Sequence, residues 1–139
     1  MIERVKSSGP APVRGRILVI EDDPDAALFA VHVLTTHGQF DVTHTADPAA
    51  ALRLARTQPW DLVLTDADLP GVTGIDLVHA LRLIAPSRPI VVLTAQPDDG
   101  TTAAALRQLA DEYLQKPVRI ARLLATATEL VLHNRDGGR

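Results

Sequence analysis

Short runs of branched apolar residues that stop abruptly at charged or polar residues constrain this chain most. The first, Ile17 to Ile20 in "RILVIEDD", is closed by Glu21, Asp22 and Asp23. Four more strand-like segments follow: "FDVTHTA" at 40–46, "LVLTD" at 62–66, "PIVVLT" at 89–94 and "EYLQK" at 112–116. A strand buried on both faces has no polar face to show, so it reads as a continuous apolar run. Such strands need covering layers on both sides of their sheet.

The intervening segments supply those layers. Ala27, Ala30, Val31 and Leu34 follow the spacing of one helix face, as do Gly74, Leu77, Val78 and Leu81. Asp47-Pro48 is a helix start, a capping carboxylate followed by a proline that needs no amide partner; Ala51, Leu52 and Ala55 continue its face. An Ala-rich fourth helix is expected near 99–110, weakened by Gly100, and a fifth carries Ile120, Leu123, Leu124, Ala127 and Val131. Five strands alternating with five helices predict a doubly wound α/β fold with a parallel sheet. With 139 residues the chain suits one domain. We expect a flexible N-terminal tail over 1–15, one domain over 16–133, and a flexible C-terminal tail over 134–139.

In an open parallel sheet, ligands gather at the carboxyl ends of the strands. Those ends here carry Glu21 and Asp22, then Asp66 with Asp68 two residues on, then Thr94, then Lys116. Crowded carboxylates take up protons or bind a cation. Oxygen ligands without Cys or His select a hard ion, Mg²⁺ before zinc. A carboxylate beside such an ion and a lysine is equipped to accept a phosphoryl group. Taken singly, each residue has a plainer role: Asp23 before Pro24 reads as a helix cap, and a lone strand-end acid as turn chemistry. The coincidence of all four types on one edge favours a site. The histidines, His32, His37, His44, His79 and His133, show no ligand spacing and receive no role.

The segments "ILVIEDD", "LVLTDADLPGVTG", "VVLTA" and "EYLQKP" together resemble the motifs of response-regulator receiver domains, from about Arg16 to His133. That resemblance implies a flavodoxin-like fold with strand order 2-1-3-4-5, an order that general fold knowledge already attaches to this family. It implies that Asp66 is the phosphoacceptor, and that Asp22 and Asp66, with Glu21 beside them, hold Mg²⁺ with the backbone carbonyl of Asp68. Lys116 matches the lysine that pairs with phosphoryl oxygens. Thr94 and Tyr113 match the switch pair, and Asp68 and Gln96 the positions that tune the phosphorylated lifetime. It also implies a cis Lys116–Pro117 bond. The chain departs from the pattern in a slightly short third-helix region and in Leu109-Ala110, where Gly-Ala is usual.

The implied function is that of a stand-alone response regulator. It would be phosphorylated by a sensor histidine kinase or a histidine phosphotransfer protein, and would switch a downstream protein contact, with homodimerisation left open. It would catalyse only its own phosphoryl transfer and slow dephosphorylation. A net charge of −3 argues against direct nucleic-acid binding. The absence of cysteine, of a long apolar run and of a secretory h-region fits a soluble cytoplasmic protein. Three other readings compete. Asp66 and Asp68 also resemble the nucleophile motif of haloacid-dehalogenase-type phosphatases, although that motif usually ends a first strand. A flavin binder would need a phosphate loop where this chain has acids. A phosphorylation-independent binding module would not need the full set of site residues.

Overall fold

A computed structural model describes residues 2–96 and 100–135. Its elements run β1 (Ile2–Val5), β2 (Arg16–Ile20), α1 (Pro24–His32), β3 (Asp41–Thr45), α2 (Pro48–Thr57), β4 (Leu62–Asp66), β5 (Asp68–Leu69), β6 (Val72–Thr73), α3 (Gly74–Ile84), β7 (Ile90–Thr94), α4 (Gly100–Leu109), β8 (Glu112–Gln115) and α5 (Ile120–Arg135). The main sheet has six strands in the order β1-β3-β2-β4-β7-β8. The last five pair in parallel and follow the flavodoxin-like order.

Alternation along the buried strands builds two cores. Ile17, Val19, Leu64, Val91 and Leu93 face one side, where Ala30, Val31 and Leu34 at the α1 end and Leu123, Ala127 and Val131 of α5 cover them. Leu18, Ile20, Val63, Ile90 and Val92 face the other, under Ala51 and Leu54 of α2, Leu77, Val78 and Leu81 of α3 and Leu106 of α4. Helix starts are fixed locally. Asp23, Asp47 and Thr73 accept from the amides of Asp25, Ala49 and Asp76, as N-caps do. Asp23 therefore takes the capping role that its position before Pro24 predicts.

The N-terminal segment departs from expectation. Residues 1–15 read as a mobile tail, yet Ile2–Val5 is a strand antiparallel to β3, so the sheet has six strands rather than five. The chain that follows is tied down by Ser7 N–H to Asp41 Oδ1 (2.8 Å), Ser8 N–H to Thr35 O and Arg14 N–H to Gln39 O. These contacts give a short polar segment the partners that its own sequence lacks. Glu3 and Arg4 charge β1 and Lys6 follows it, which discourages further strands from adding there. At the other terminus α5 continues through Arg135, past the expected boundary at 133; residues 136–139 lie outside the described part, as does Asp99 at the expected start of the fourth helix.

Among the described residues, no helix is long and apolar enough to cross a membrane.

Candidate functional site

The site lies at the carboxyl ends of β2, β4, β7 and β8. β4 is buried along its whole length and delivers Asp66 at its end, only 6 % exposed. The amide of Ala67 bonds Leu93 O on β7, which fixes the chain just past the acid. Pro70 and Gly71 then turn the chain between β5 and β6, Gly71 at a φ of 81° that favours glycine. Gly74 follows where a Cβ would come within 2.6 Å of Ala67 O, so α3 starts close behind the acid only because that position has no side chain.

Glu21 is 3 % exposed and held from several directions. Lys116 Nζ donates to its Oε1 at 2.6 Å, and the amide of Asp23 to its Oε2 at 3.2 Å. Its own amide bonds Thr45 O at 3.1 Å. Lys116 Nζ also lies 3.6 Å from Asp66 Oδ2. The Lys116 amide donates to Thr94 O at 2.7 Å, and the Lys116–Pro117 bond is cis, as the resemblance implies. Oxygens of Glu21, Asp22 and Asp66 lie within 4.8 Å of one another.

Three carboxylates around one ammonium leave the cluster short of positive charge. Burial, a hydrogen bond with Glu21 and the charge of Glu21 lift the Asp66 pKa from 3.8 to about 6, against the lowering pull of the Asp68 amide and Lys116. Burial pulls Lys116 down, but its hydrogen bond to Glu21 and the charges of Glu21 and Asp66 outweigh that and raise it. The donors are all oxygen and include the exposed Asp22, so the cluster suits a hard divalent cation such as Mg²⁺.

Asp68 joins Asp66 to Thr94. Its amide donates to Asp66 Oδ1 at 3.1 Å, and its Oδ2 faces the Thr94 hydroxyl at 3.4 Å. Thr94 Oγ1 in turn accepts from the Gln96 amide. Tyr113 is half-buried, with the Arg107 guanidinium 4.8 Å above its ring. Asp22, Asp68, Thr94, Gln96 and Tyr113 all line one cleft of about 1030 Å³. The structure thus brings together every residue that the sequence singled out. One residue that received no role from the sequence sits beside them: His44 Nε2 lies 2.8 Å from the Glu21 carbonyl oxygen. Only its place near the end of a strand beside β2 hinted at that.

The profile of the response regulator receiver domain family matches residues 17–128, most of the chain. The chain belongs to the response regulator receiver domain family. The receiver is 39 % identical over 124 residues to the DNA-binding response regulator MtrA of Mycolicibacterium smegmatis, across 89 % of this chain and 54 % of that protein. It is 34 % identical to the transcriptional regulatory protein PrrA of Mycobacterium bovis, across 84 % of this chain and 49 % of that one. The chain thus spans about half the length of these relatives. Among solved structures it resembles the receiver domain of sensor histidine kinase PA1611 from Pseudomonas aeruginosa, which has a magnesium ion coordinated in its active site cleft. That match has TM-score 0.76 and 28 % identity over 84 % of this chain and 97 % of that one. A CheY-like receiver from Methanospirillum hungatei shares the fold, with TM-score 0.80 and 22 % identity over 87 % of this chain and 96 % of that one.

Proposed function

We propose that this receiver accepts a phosphoryl group on Asp66 from the phosphohistidine of a sensor histidine kinase or a histidine phosphotransfer protein. An Asp66 carboxylate oxygen bonds to phosphorus as the phosphorus–nitrogen bond breaks. The imidazole leaves with that electron pair, and Asp66 becomes an acyl phosphate. The observation that carries this reading is a buried, strand-end carboxylate with an ammonium 3.6 Å away and two further acids beside it. A lone structural acid has no use for that company.

Glu21, Asp22 and Asp66 would hold Mg²⁺ together with the Asp68 carbonyl, and the bound cation would offset charge on the transferring oxygens. Lys116 contributes a second positive charge and orients the phosphoryl group. Asp66 must be ionised to attack, so a pKa near 6 leaves it mostly reactive at neutral pH.

The response follows at Thr94. Its hydroxyl turns from Asp68 to a phosphoryl oxygen, and the ring of Tyr113 moves inward behind it. The differential contact is that new hydrogen bond, which shifts an existing equilibrium. The moved ring alters the surface that a downstream protein contacts. On this reading the receiver acts on no independent substrate and catalyses only its own phosphoryl transfer and slow hydrolysis.

The test is intact-mass measurement after incubation with acetyl phosphate and Mg²⁺. Wild type should gain one phosphoryl group and Asp66→Asn none. Equal labelling of the two proteins would overturn the assignment. Sustained turnover of unrelated phosphomonoesters would favour an aspartyl phosphatase instead.

A further inference from the structure

The added strand β1 lies against the strand end that steadies the acids. Its register sets Ile2 opposite Thr45 and Glu3 opposite His44. Those two β3 residues both hold Glu21. Thr45 O accepts the Glu21 amide, and His44 Nε2 lies 2.8 Å from the Glu21 carbonyl oxygen. A carbonyl oxygen can only accept, so His44 must carry its proton on Nε2. The backbone of Glu21 is thus held on both its polar groups by neighbouring residues of one strand. Its side chain separately engages Lys116 and the Asp23 amide.

Without β1, β3 would be the edge of the sheet, with the outward backbone groups of His44 open to water. Edge strands open locally at little cost. With β1 in place, His44 is flanked on both sides, by Glu3 of β1 and Val19 of β2, while the next residue, Thr45, keeps its carbonyl on the β2 side for the Glu21 amide.

We propose that His44 is a positioning residue for the acidic loop and that β1 holds it in place, so that the N-terminal strand sets how tightly the Glu21–Asp22–Asp66 cluster binds a divalent cation. The part concerning cation affinity rests on the reading that this cluster holds one. The part concerning the clamp does not. Displacement of β1, by a partner or by a change in the N-terminal segment, would loosen the Glu21 backbone and weaken the site from outside it.

The test uses the full chain in four variants. His44→Leu removes the donor. His44→Asn keeps polarity but is too short, whereas His44→Gln carries an amide N–H at nearly the reach of Nε2. Arg4→Pro/Val5→Pro disrupts β1 without touching the cluster, since alternate residues of an antiparallel strand donate to their neighbour and one of the two must. Two quantities are measured: amide hydrogen exchange at Glu21 in metal-free protein, and the affinity for Mg²⁺ alone by calorimetry.

His44→Leu and His44→Asn should speed exchange at Glu21 and weaken Mg²⁺ binding about tenfold, the lower end of the effect of removing an outer-shell partner. His44→Gln should restore both to within about twofold of wild type. The proline pair should shift both in the same direction as His44→Leu. Wild-type exchange in His44→Leu and His44→Asn, no rescue by glutamine, or no effect of the proline pair would each overturn the proposal. If wild type fails to bind Mg²⁺, the reading of the cluster falls and so does the affinity claim. The exchange data still decide the clamp.

Discussion

Lys116 Nζ sits 2.6 Å from Glu21 Oε1 but 3.6 Å from Asp66 Oδ2, so the lysine rests on Glu21 rather than on Asp66 itself. It neutralises a buried carboxylate while standing close to where a phosphoryl oxygen would arrive. Lys116→Met should therefore do two things. It should cut phosphoryl uptake from acetyl phosphate by at least about tenfold, since one of two compensating charges is gone. It should also destabilise the protein by about 2–3 kcal/mol at neutral pH, somewhat below the cost of breaking a fully buried pair because Lys116 is partly exposed. Uptake kinetics and chemical denaturation measure the two effects separately.

The raised pKa of Asp66 gives a pH dependence. Ionising this group costs the fold. Its contribution to stability is intact below its unfolded value of 3.8 and is lost as pH rises through about 6. The full shift corresponds to about 3 kcal/mol. In metal-free protein, Asp66→Asn should thus be more stable than wild type at about pH 7 and lose most of that advantage at about pH 4. Paired denaturation curves in chelator check this. An advantage that does not change with pH would show that Asp66 ionises freely. Cation affinity has the opposite trend: only the carboxylate binds, so Mg²⁺ affinity should rise between about pH 5 and pH 7.

Particular residues show what the sequence made legible. Asp66 was visible because a strand buried on both faces admits no internal charge, so an acid at its end marks the boundary and the ligand edge together. Asp23, Asp47 and Gly74 were visible because capping and helix spacing are local. β1 was not. "IERV" is short and half charged, and its pairing with residues 42–45 is a contact across some forty residues of chain. His44 was missed for the same reason, since its bond to Glu21 depends on strand order and register rather than on spacing. The β5–β6 pair was not foreseen either, because two-residue strands leave no periodic pattern.

The switch can be followed through the single tyrosine of this chain. Fluorine labelling of tyrosine gives one resonance, that of Tyr113. Phosphorylation of wild type should shift it as the ring moves inward. Thr94→Ala should still take up phosphoryl on Asp66 but show less than about half of that shift, because the hydroxyl–phosphoryl bond that biases the equilibrium is missing. Arg107→Ala should move the resonance without phosphorylation, since it removes the guanidinium charge 4.8 Å from the ring. A full shift in phosphorylated Thr94→Ala would separate the tyrosine from the threonine.

Asp68 faces two ways. Its amide bonds Asp66, and its carboxylate faces the Thr94 hydroxyl at 3.4 Å. That hydroxyl has one proton, so it serves either Asp68 or a phosphoryl oxygen. The carboxylate is also exposed at the cleft mouth, where it repels an anionic phosphoryl group and can accept a proton from an attacking water. Competition for Thr94, repulsion and water activation all shorten the active state. Asp68→Asn keeps the shape and the backbone bond but removes the charge, which weakens all three. Its acyl phosphate should last about three- to tenfold longer than that of wild type at equal Mg²⁺, a change of roughly 1 kcal/mol in the hydrolytic barrier. Dephosphorylation rates of Asp68→Asn, Thr94→Ala and the double variant apportion the effect. If the hydroxyl contact dominates, the asparagine adds little once Thr94 is gone; if water activation dominates, its gain survives. Equal rates for wild type and Asp68→Asn would leave Asp68 with its backbone role alone.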